Sequence, residues 1–282
     1  MQIPTTPLPN GTPIPRFGIG TWRMGEGTAS AAAEIAAIRA AIERGVTLID
    51  TAEMYGDGGA EEVICRAMAG MPAVRERLYV VSKVYPHNAS RKGTVAACER
   101  SLKRLDTEYL DCYLLHWPGE HPVAETVEAF ETLKAQGKIR AWGVSNFDVA
   151  EMEELASVAN GKNVATNQVL YNLSRRGVEF GLLPWQRERG IPTMAYSPIE
   201  QAQLLSSAKL KAIARGVGTT PAQLALAWLL VQPDVIVIPK TSHVERLEEN
   251  LGALDVKLDA STLAELDAAF PPPRKRSALA ML

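Results

Sequence analysis

Apolar and polar positions along this chain alternate between two periods. Short runs rich in β-branched residues fall at residues 17–20, 46–49, 78–81, 110–115, 139–144, 164–169, 192–196 and 235–238. Compact apolar runs of this length are what strands covered on both faces look like. Between them the apolar side chains step by three and four, as in Ile35, Ile38 and Ile42, in Val95, Cys98, Leu102 and Leu105, and in Leu247, Leu251 and Leu254. That spacing predicts amphipathic helices. Starts are marked by Asp148 with Glu151, Thr220 with Pro221 and Gln223, and Ser242 with Glu245; stops are marked by Gly45, Gly137, Gly161 and Gly190.

Strand runs that each hand over to a helical segment give a parallel sheet buried between helices. A doubly wound sheet is the rival. Eight such runs without an obvious linker favour closure into a (β/α)8 barrel, a single α/β domain over residues 1–282. Ahead of it, Asn10-Gly11 predicts a hairpin with a type I′ turn, because both central positions of that turn need φ > 0. Pro4, Pro7, Pro9, Pro13 and Pro15 confine its strands to an edge or to a cover, expected at the barrel bottom. The tail from Pro271 to Arg276 departs from the pattern and reads as a solvated extension.

Composition narrows the class without naming a function. Thirty basic residues against 32 acidic ones give no general electrostatic reason to bind nucleic acid or an anionic membrane. No apolar run reaches the roughly 20 residues of a membrane span. The proline-rich first twenty residues lack the basic-then-apolar order of a secretory signal. Cys65, Cys98 and Cys112 form no CxxC pair and cannot all pair with one another, which suits a reducing cytoplasm.

The informative positions are the strand ends. Asp50, Lys83 and His116 each fall at the end of a strand run, spaced by 33 residues, one βα unit. In a barrel such residues converge on one mouth, where the chemistry takes place. Tyr55 lies five residues past Asp50, close enough to fold back over it. Taken singly, each has an ordinary structural reading: Asp50 a turn residue, Lys83 a surface charge, His116 a hydrogen-bonded core group, Tyr55 packing. Together they match carbonyl reduction, in which hydride transfer leaves an alkoxide that needs a proton. A phenol of pKa about 10 is a poor acid unless a cation favours its phenolate, and Lys83 oriented by Asp50 could be that cation. His116 could donate to the carbonyl oxygen. Two other chemistries stay open: a Schiff-base aldolase using Lys83, and a metal site at His116, Glu120 and His121, whose spacing fits no helical ligand pair.

In context these residues resemble the successive signatures of the aldo-keto reductases. The stretches are Asp-Thr-Ala-Glu-Met-Tyr-Gly (50–56), Val-Ser-Lys-Val (81–84), Leu-Leu-His-Trp-Pro (114–118), Gly-Val-Ser-Asn-Phe (143–147), Asn-Gln-Val (167–169), Ala-Tyr-Ser-Pro (195–198) and Ile-Pro-Lys-Thr (238–241). They run in the family's order from Gly20 to Asn250. Residues 54–61 and the short tail resemble the bacterial members that act on methylglyoxal more than those acting on 2,5-diketogluconate. The resemblance implies an NADPH-dependent reductase with Asp50, Tyr55, Lys83 and His116 as its catalytic group and no metal. It implies a nicotinamide dinucleotide held by Asp50 and Ser197, by Gly20, Thr21 and Trp22 at the nicotinamide end, by Ser145, Asn146 and Gln168 at the carboxamide, and by Tyr196 stacked on the ring. Lys240, Thr241 and Arg246 would hold the 2′-phosphate, with Glu249 and Asn250 near the adenine. Trp22, Met54, Tyr85 and Trp117 would line a pocket for small carbonyl compounds. A non-catalytic, redox-sensing NADPH-binding barrel is the remaining alternative, and a monomer in the cytoplasm is the expected state. One departure stands out: residues 199–204 read Ile-Glu-Gln-Ala-Gln-Leu, where the family often carries a glycine-bearing phosphate loop.

Overall fold

The computed structural model describes residues 2–71 and 73–282. A hairpin of β1 (Thr5–Pro7) and β2 (Pro13–Pro15) precedes the barrel strands β3 (Gly18–Gly20), β4 (Leu48–Asp50), β5 (Tyr79–Val84), β6 (Leu110–Leu115), β7 (Ile139–Ser145), β8 (Asn167–Leu170), β9 (Thr193–Tyr196) and β10 (Val235–Val237). The helices are α1 (Ala31–Glu43), α2 (Gly59–Met68), α3 (Val74–Arg77), α4 (Arg91–Leu105), α5 (Val123–Ala135) and α6 (Val149–Ser157). They continue with α7 (Leu182–Arg187), α8 (Ala208–Val217), α9 (Pro221–Val231), α10 (Val244–Leu251) and α11 (Ala260–Ala269). Strands β3 to β10 pair in parallel in chain order, and each coincides with one of the eight apolar runs. The seam between β10 and β3 is joined by parallel bridges from Phe17 to Val237 and from Gly20 to Lys240. At this seam a side chain on Gly20 would lie 2.9 Å from the carbonyl of Ile238, so only glycine allows the two backbones to meet.

Two apolar layers result. Inside the barrel, Leu48, Val81, Cys112, Leu114, Ala141, Ala165, Met194 and Ile236 form one cluster, and Leu8 and Ile14 of the hairpin join it from below. Outside, the second faces of the strands pack on the helices around Tyr113, Phe130, Trp142 and Trp228. The hairpin closes the barrel bottom, tied to the start of β10 by Thr6 donating to Asp234 at 2.8 Å. Its turn differs from the type I′ expectation. Gly11 has φ +83°, Asn10 does not share the positive sign, and the N–H of Gly11 bonds the carbonyl of Leu8. Pro9 and Asn10 therefore form the centre of a type I turn, with Gly11 as the left-handed residue after it.

Several helix signals read as expected and some did not. Asp148 with Glu151, and Thr220 with Gln223, are reciprocal capping boxes. Ser242 is not a cap: α10 starts after His243, and the Ser242 hydroxyl accepts from Lys240 instead. Gly161 is not the left-handed stop of α6; Asn160, with φ +63°, takes that conformation. Leu254 falls in a 3₁₀ turn after α10 rather than in the helix. The tail is exposed but not detached. Arg276 donates to Asp148 at 3.2 Å, Leu279 packs on the outer core, and the backbone of Leu282 reaches the hydroxyl of Tyr196 at the barrel mouth.

Candidate active site

The parallel strands bring Asp50, Lys83 and His116 to one level. Asp50 is the last residue of β4, Lys83 lies inside β5 one residue before its end, and His116 follows β6 directly. Lys83 is therefore not beyond its strand, as its run predicted; β5 continues to Val84. Lys83 is fully buried, and its Nζ donates to Asp50 Oδ1 and Oδ2, each at 2.9 Å, and to the Thr51 carbonyl at 2.8 Å. The same Nζ lies 3.2 Å from the Tyr55 hydroxyl. Tyr55 reaches it because the chain turns sharply after β4, where Gly56 and Asp57 both take positive φ.

Electrostatics in this pocket follow from burial. The Tyr55 phenol is raised well above its ordinary value, by burial first and by the Asp50 carboxylate second. At rest the phenol therefore keeps its proton. Burial also pulls Lys83 below its usual value, despite Asp50. His116 is held down to about 2, by burial first and by the Lys83 cation second. Its imidazole is neutral, packs edge-on to Tyr55 with ring centroids 5.7 Å apart, and leaves Nδ1 buried without a partner.

Around this centre sits a ring of amides. Gln168, the second residue of β8, donates to Asp50 Oδ1 at 2.7 Å. Asn146, with φ +59° after β7, donates to the His116 carbonyl and to the Ser145 hydroxyl, both at 3.1 Å. Its Oδ1 accepts from Tyr196 at 2.9 Å. The Thr21 hydroxyl donates to the carbonyl of Asp50 at 3.0 Å. Ser145, Asn146, Gln168, Tyr196 and Thr21 thus share one network with the reactive group. Ser197, with φ +46°, begins the next loop.

A second group of predicted residues lies at the barrel seam. Lys240 is bridged to Gly20, half-buried, and shifted downward by burial, with Arg23 among the cations depressing it. Thr241 holds the turn into α10 by accepting from the N–H of His243 at 3.1 Å. Arg246 on α10 is exposed and makes no ion pair among the described residues, while Asn250 is buried and Glu249 half-buried on the same helix. Along the rim, Tyr85 stands edge-on to Trp117 at 5.7 Å, and Met54 and Trp22 are partly buried against the outer core.

Some contributors escaped the sequence reading. Glu53 is buried and ties the Tyr55 loop to the pocket wall, accepting from the Tyr85 N–H at 2.8 Å and from Asn88 at 3.0 Å. Its position three residues after a strand-end aspartate was the available signal. His87 stacks on Tyr85 at 4.6 Å, and Arg23 lies 4.4 Å over the Trp22 ring. Neither had a pattern to announce it.

Among barrels with a strand-end lysine, the state of that nitrogen separates the classes. Here it is enclosed and hydrogen-bonded to both oxygens of a carboxylate, to a backbone carbonyl and to a tyrosine hydroxyl, an arrangement that suits proton transfer through the tyrosine rather than attack on a carbonyl. Residues 16–270 match the aldo/keto reductase family model, and the chain belongs to that family. It is 49% identical over 274 residues to methylglyoxal reductase YeaE of Escherichia coli K12, covering 95% of each chain. Glyoxal reductase of Bacillus subtilis is 37% identical over 264 residues, 94% of this chain and 92% of that protein. An aldo-keto reductase from Klebsiella pneumoniae solved with NADPH superposes with a TM-score of 0.95 at 47% identity over the full length of both chains. A Klebsiella pneumoniae aldo/keto reductase solved with NADP and acetate gives 0.94 at 48% identity, with 99% of each chain covered.

Proposed function

We propose that this chain, acting as one barrel domain, reduces small aldehydes and ketones with NADPH, and that α-oxoaldehydes such as methylglyoxal are its preferred substrates. The observation that carries the reading is the buried Asp50–Lys83–Tyr55 relay beside a neutral His116. The residues present suit the dinucleotide. Arg23 and Lys240 offer cations at the barrel seam beside Gly20, Arg246 is exposed on α10 where the family resemblance puts a 2′-phosphate contact, and the Asn146–Gln168 network offers amides joined at Asn146 by the Tyr196 hydroxyl. When bound, NADPH supplies the hydride.

The chain's own groups do the rest. A carbonyl oxygen between Tyr55 and His116 meets a phenol that is protonated at neutral pH and a neutral imidazole able to donate from one ring nitrogen. As negative charge grows on that oxygen, Tyr55 gives up its proton and Lys83 stabilises the phenolate left behind. Ser145, Asn146 and Gln168 would hold the carboxamide of the bound dinucleotide, and Trp22, Met54, Tyr85 and Trp117 would form the wall, joined by His87.

Aldolase chemistry is set aside because Lys83 is hydrogen-bonded into the relay. A purely redox-sensing barrel would have no use for Tyr55 and His116 in this geometry. No helix of the described residues is long and apolar enough to cross a membrane. The unpaired Cys65, Cys98 and Cys112 support a cytoplasmic enzyme, the near balance of charge gives no reason to bind nucleic acid, and a monomer completes its site from one chain. The test is NADPH consumption with a panel of carbonyl compounds. Methylglyoxal should lead in kcat/KM, and a bulky ketone leading would overturn the substrate assignment.

A further inference from the structure

The segment after β9 has an unusual backbone. Ser197, Glu200, Gln201 and Ala202 carry φ values of +46°, +49°, +51° and +71°, though none is glycine. L side chains rarely adopt this conformation. Such a run persists only where the surroundings impose it, and strain of this kind gathers at ligand clamps.

Here the surroundings act through Glu200. Its carboxylate is buried, with Oε2 accepting from Asn172 Nδ2 at 2.7 Å and Oε1 accepting from Arg175 Nε at 2.8 Å. Asn172 also donates to the Ser197 carbonyl at 2.9 Å. Its own Oδ1 accepts from the N–H and the hydroxyl of Ser174, both at 2.9 Å, which fixes the orientation of the amide. Asn172 and Arg175 face each other across a small bridge in the loop after β8. The carboxylate therefore joins the loop after β8 to the strained segment after the neighbouring strand β9. β9 and β10 are the last two strands of the barrel, and the loops that follow those strands frequently hold phosphate groups in this architecture.

We propose that Glu200 is a positioning residue for the dinucleotide: its clasp on Asn172 and Arg175 sets residues 197–204 as a preformed strap against the diphosphate. The inference rests on the NADPH reading above. A carboxylate facing the diphosphate would repel it, whereas one turned inward and paired with Arg175 leaves backbone and neutral side chains toward the anion. A strap already set in one conformation does not have to be ordered when the cofactor arrives, and that preorganisation appears as affinity and slow release.

The experiment is fluorescence titration of the purified protein with NADPH and with NADH, together with stopped-flow dissociation. Glu200→Ala should raise the dissociation constant and the release rate by about tenfold for both cofactors, since charge-assisted bonds are lost whichever dinucleotide is bound. The carbonyl KM at saturating NADPH should not move. Glu200→Gln should fall between, because its amide oxygen still accepts from Arg175 while its NH2 meets the locked NH2 of Asn172. Arg175→Ala should weaken binding in the same direction and carries the test if Glu200→Ala does not fold. A variant with unchanged melting and cofactor binding equal to the unmodified protein overturns the inference alone. An unmodified protein that binds neither dinucleotide overturns the cofactor reading and this inference with it.

Discussion

Lys83 meets Asp50 symmetrically, with its nitrogen 2.9 Å from each carboxylate oxygen. Burial dominates the upward shift of the Tyr55 phenol and the Asp50 carboxylate adds to it, so the phenol keeps its proton at rest. The proton leaves only as charge appears on the substrate oxygen, when Lys83 faces a phenolate rather than a phenol.

Tyr55→Phe removes the hydroxyl and keeps the ring. Turnover should fall by roughly 10²–10⁴-fold, the usual worth of a general acid, while NADPH affinity stays as it was. Lys83→Met should be as damaging, and the double variant little worse than either single, because groups acting as one unit are not additive. Steady-state turnover of the purified variants, with NADPH binding followed by fluorescence, checks all three. Near-normal turnover of Tyr55→Phe would refute the mechanism.

Asp50→Asn looks conservative in the sequence and is not. Both carboxylate oxygens accept from Lys83, and Oδ1 also accepts from Gln168 at 2.7 Å. An amide NH2 at either place would confront a donor. Removing one partner of a buried pair costs about 3–5 kcal/mol, so Asp50→Asn should lower both the melting temperature and turnover. Thermal unfolding followed by circular dichroism reads the first; an unaltered melting temperature would show that the pair relaxes without cost.

His116 gives the pH dependence. Its folded value, about 2, lies below the ordinary 6.5. The imidazole stays neutral in the protein, so reduction should show no inflection near pH 6.5, and Tyr55 stays protonated through neutrality. Stability behaves differently. The unfolded chain takes up a proton below its own pKa and the folded one does not, so this contribution is present above about pH 6.5 and is lost as pH falls below it. His116→Gln should flatten the acid side of a melting-temperature profile. A wild-type profile as flat as that of the variant would refute the shift.

Arg246 tests the cofactor end. It is exposed, without an ion pair among the described residues, on the first turn of α10. Arg246→Ala should raise the KM for NADPH by about ten- to a hundredfold, as expected for a charge-assisted contact to phosphate, and leave NADH nearly unchanged. Equal loss for both cofactors would remove Arg246 from the 2′-phosphate site.

The barrel was legible because parallel strands covered on both faces produce uninterrupted apolar runs, and the reactive group was legible because register puts strand ends at one height. What escaped depends on directions that a linear pattern does not carry. Ser242 looks like a cap until its hydroxyl is seen to accept from Lys240. Gly161 looks like a helix stop, yet Asn160 supplies the left-handed residue. Glu200 looked misplaced beside a diphosphate, and only the positions of Asn172 and Arg175 show where its charge goes. The upward shift of the Tyr55 phenol escaped because its causes, burial and the nearby Asp50 carboxylate, depend on the folded packing rather than on residue spacing.

The tail is placed to limit how large a carbonyl enters. Its last residues return to the mouth, with Leu279 on the outer core and the Leu282 backbone at the hydroxyl of Tyr196. Tyr196 in turn donates to Asn146, so the chain end lies within one side chain of the proposed carboxamide site. Met281 and Leu282 are half-exposed or more, at 50% and 59%, and add little to the packing that holds the fold. Removing residues 280–282 should leave the melting temperature and NADPH affinity close to those of the full chain. It should open the Tyr196 side of the pocket, so kcat/KM for a bulky aromatic ketone should rise relative to that for methylglyoxal. Both substrates measured on full-length and shortened protein at saturating NADPH give the ratio. If the ratio does not change, the tail is a bystander and the wall formed by Tyr85 and Trp117 sets the size limit alone.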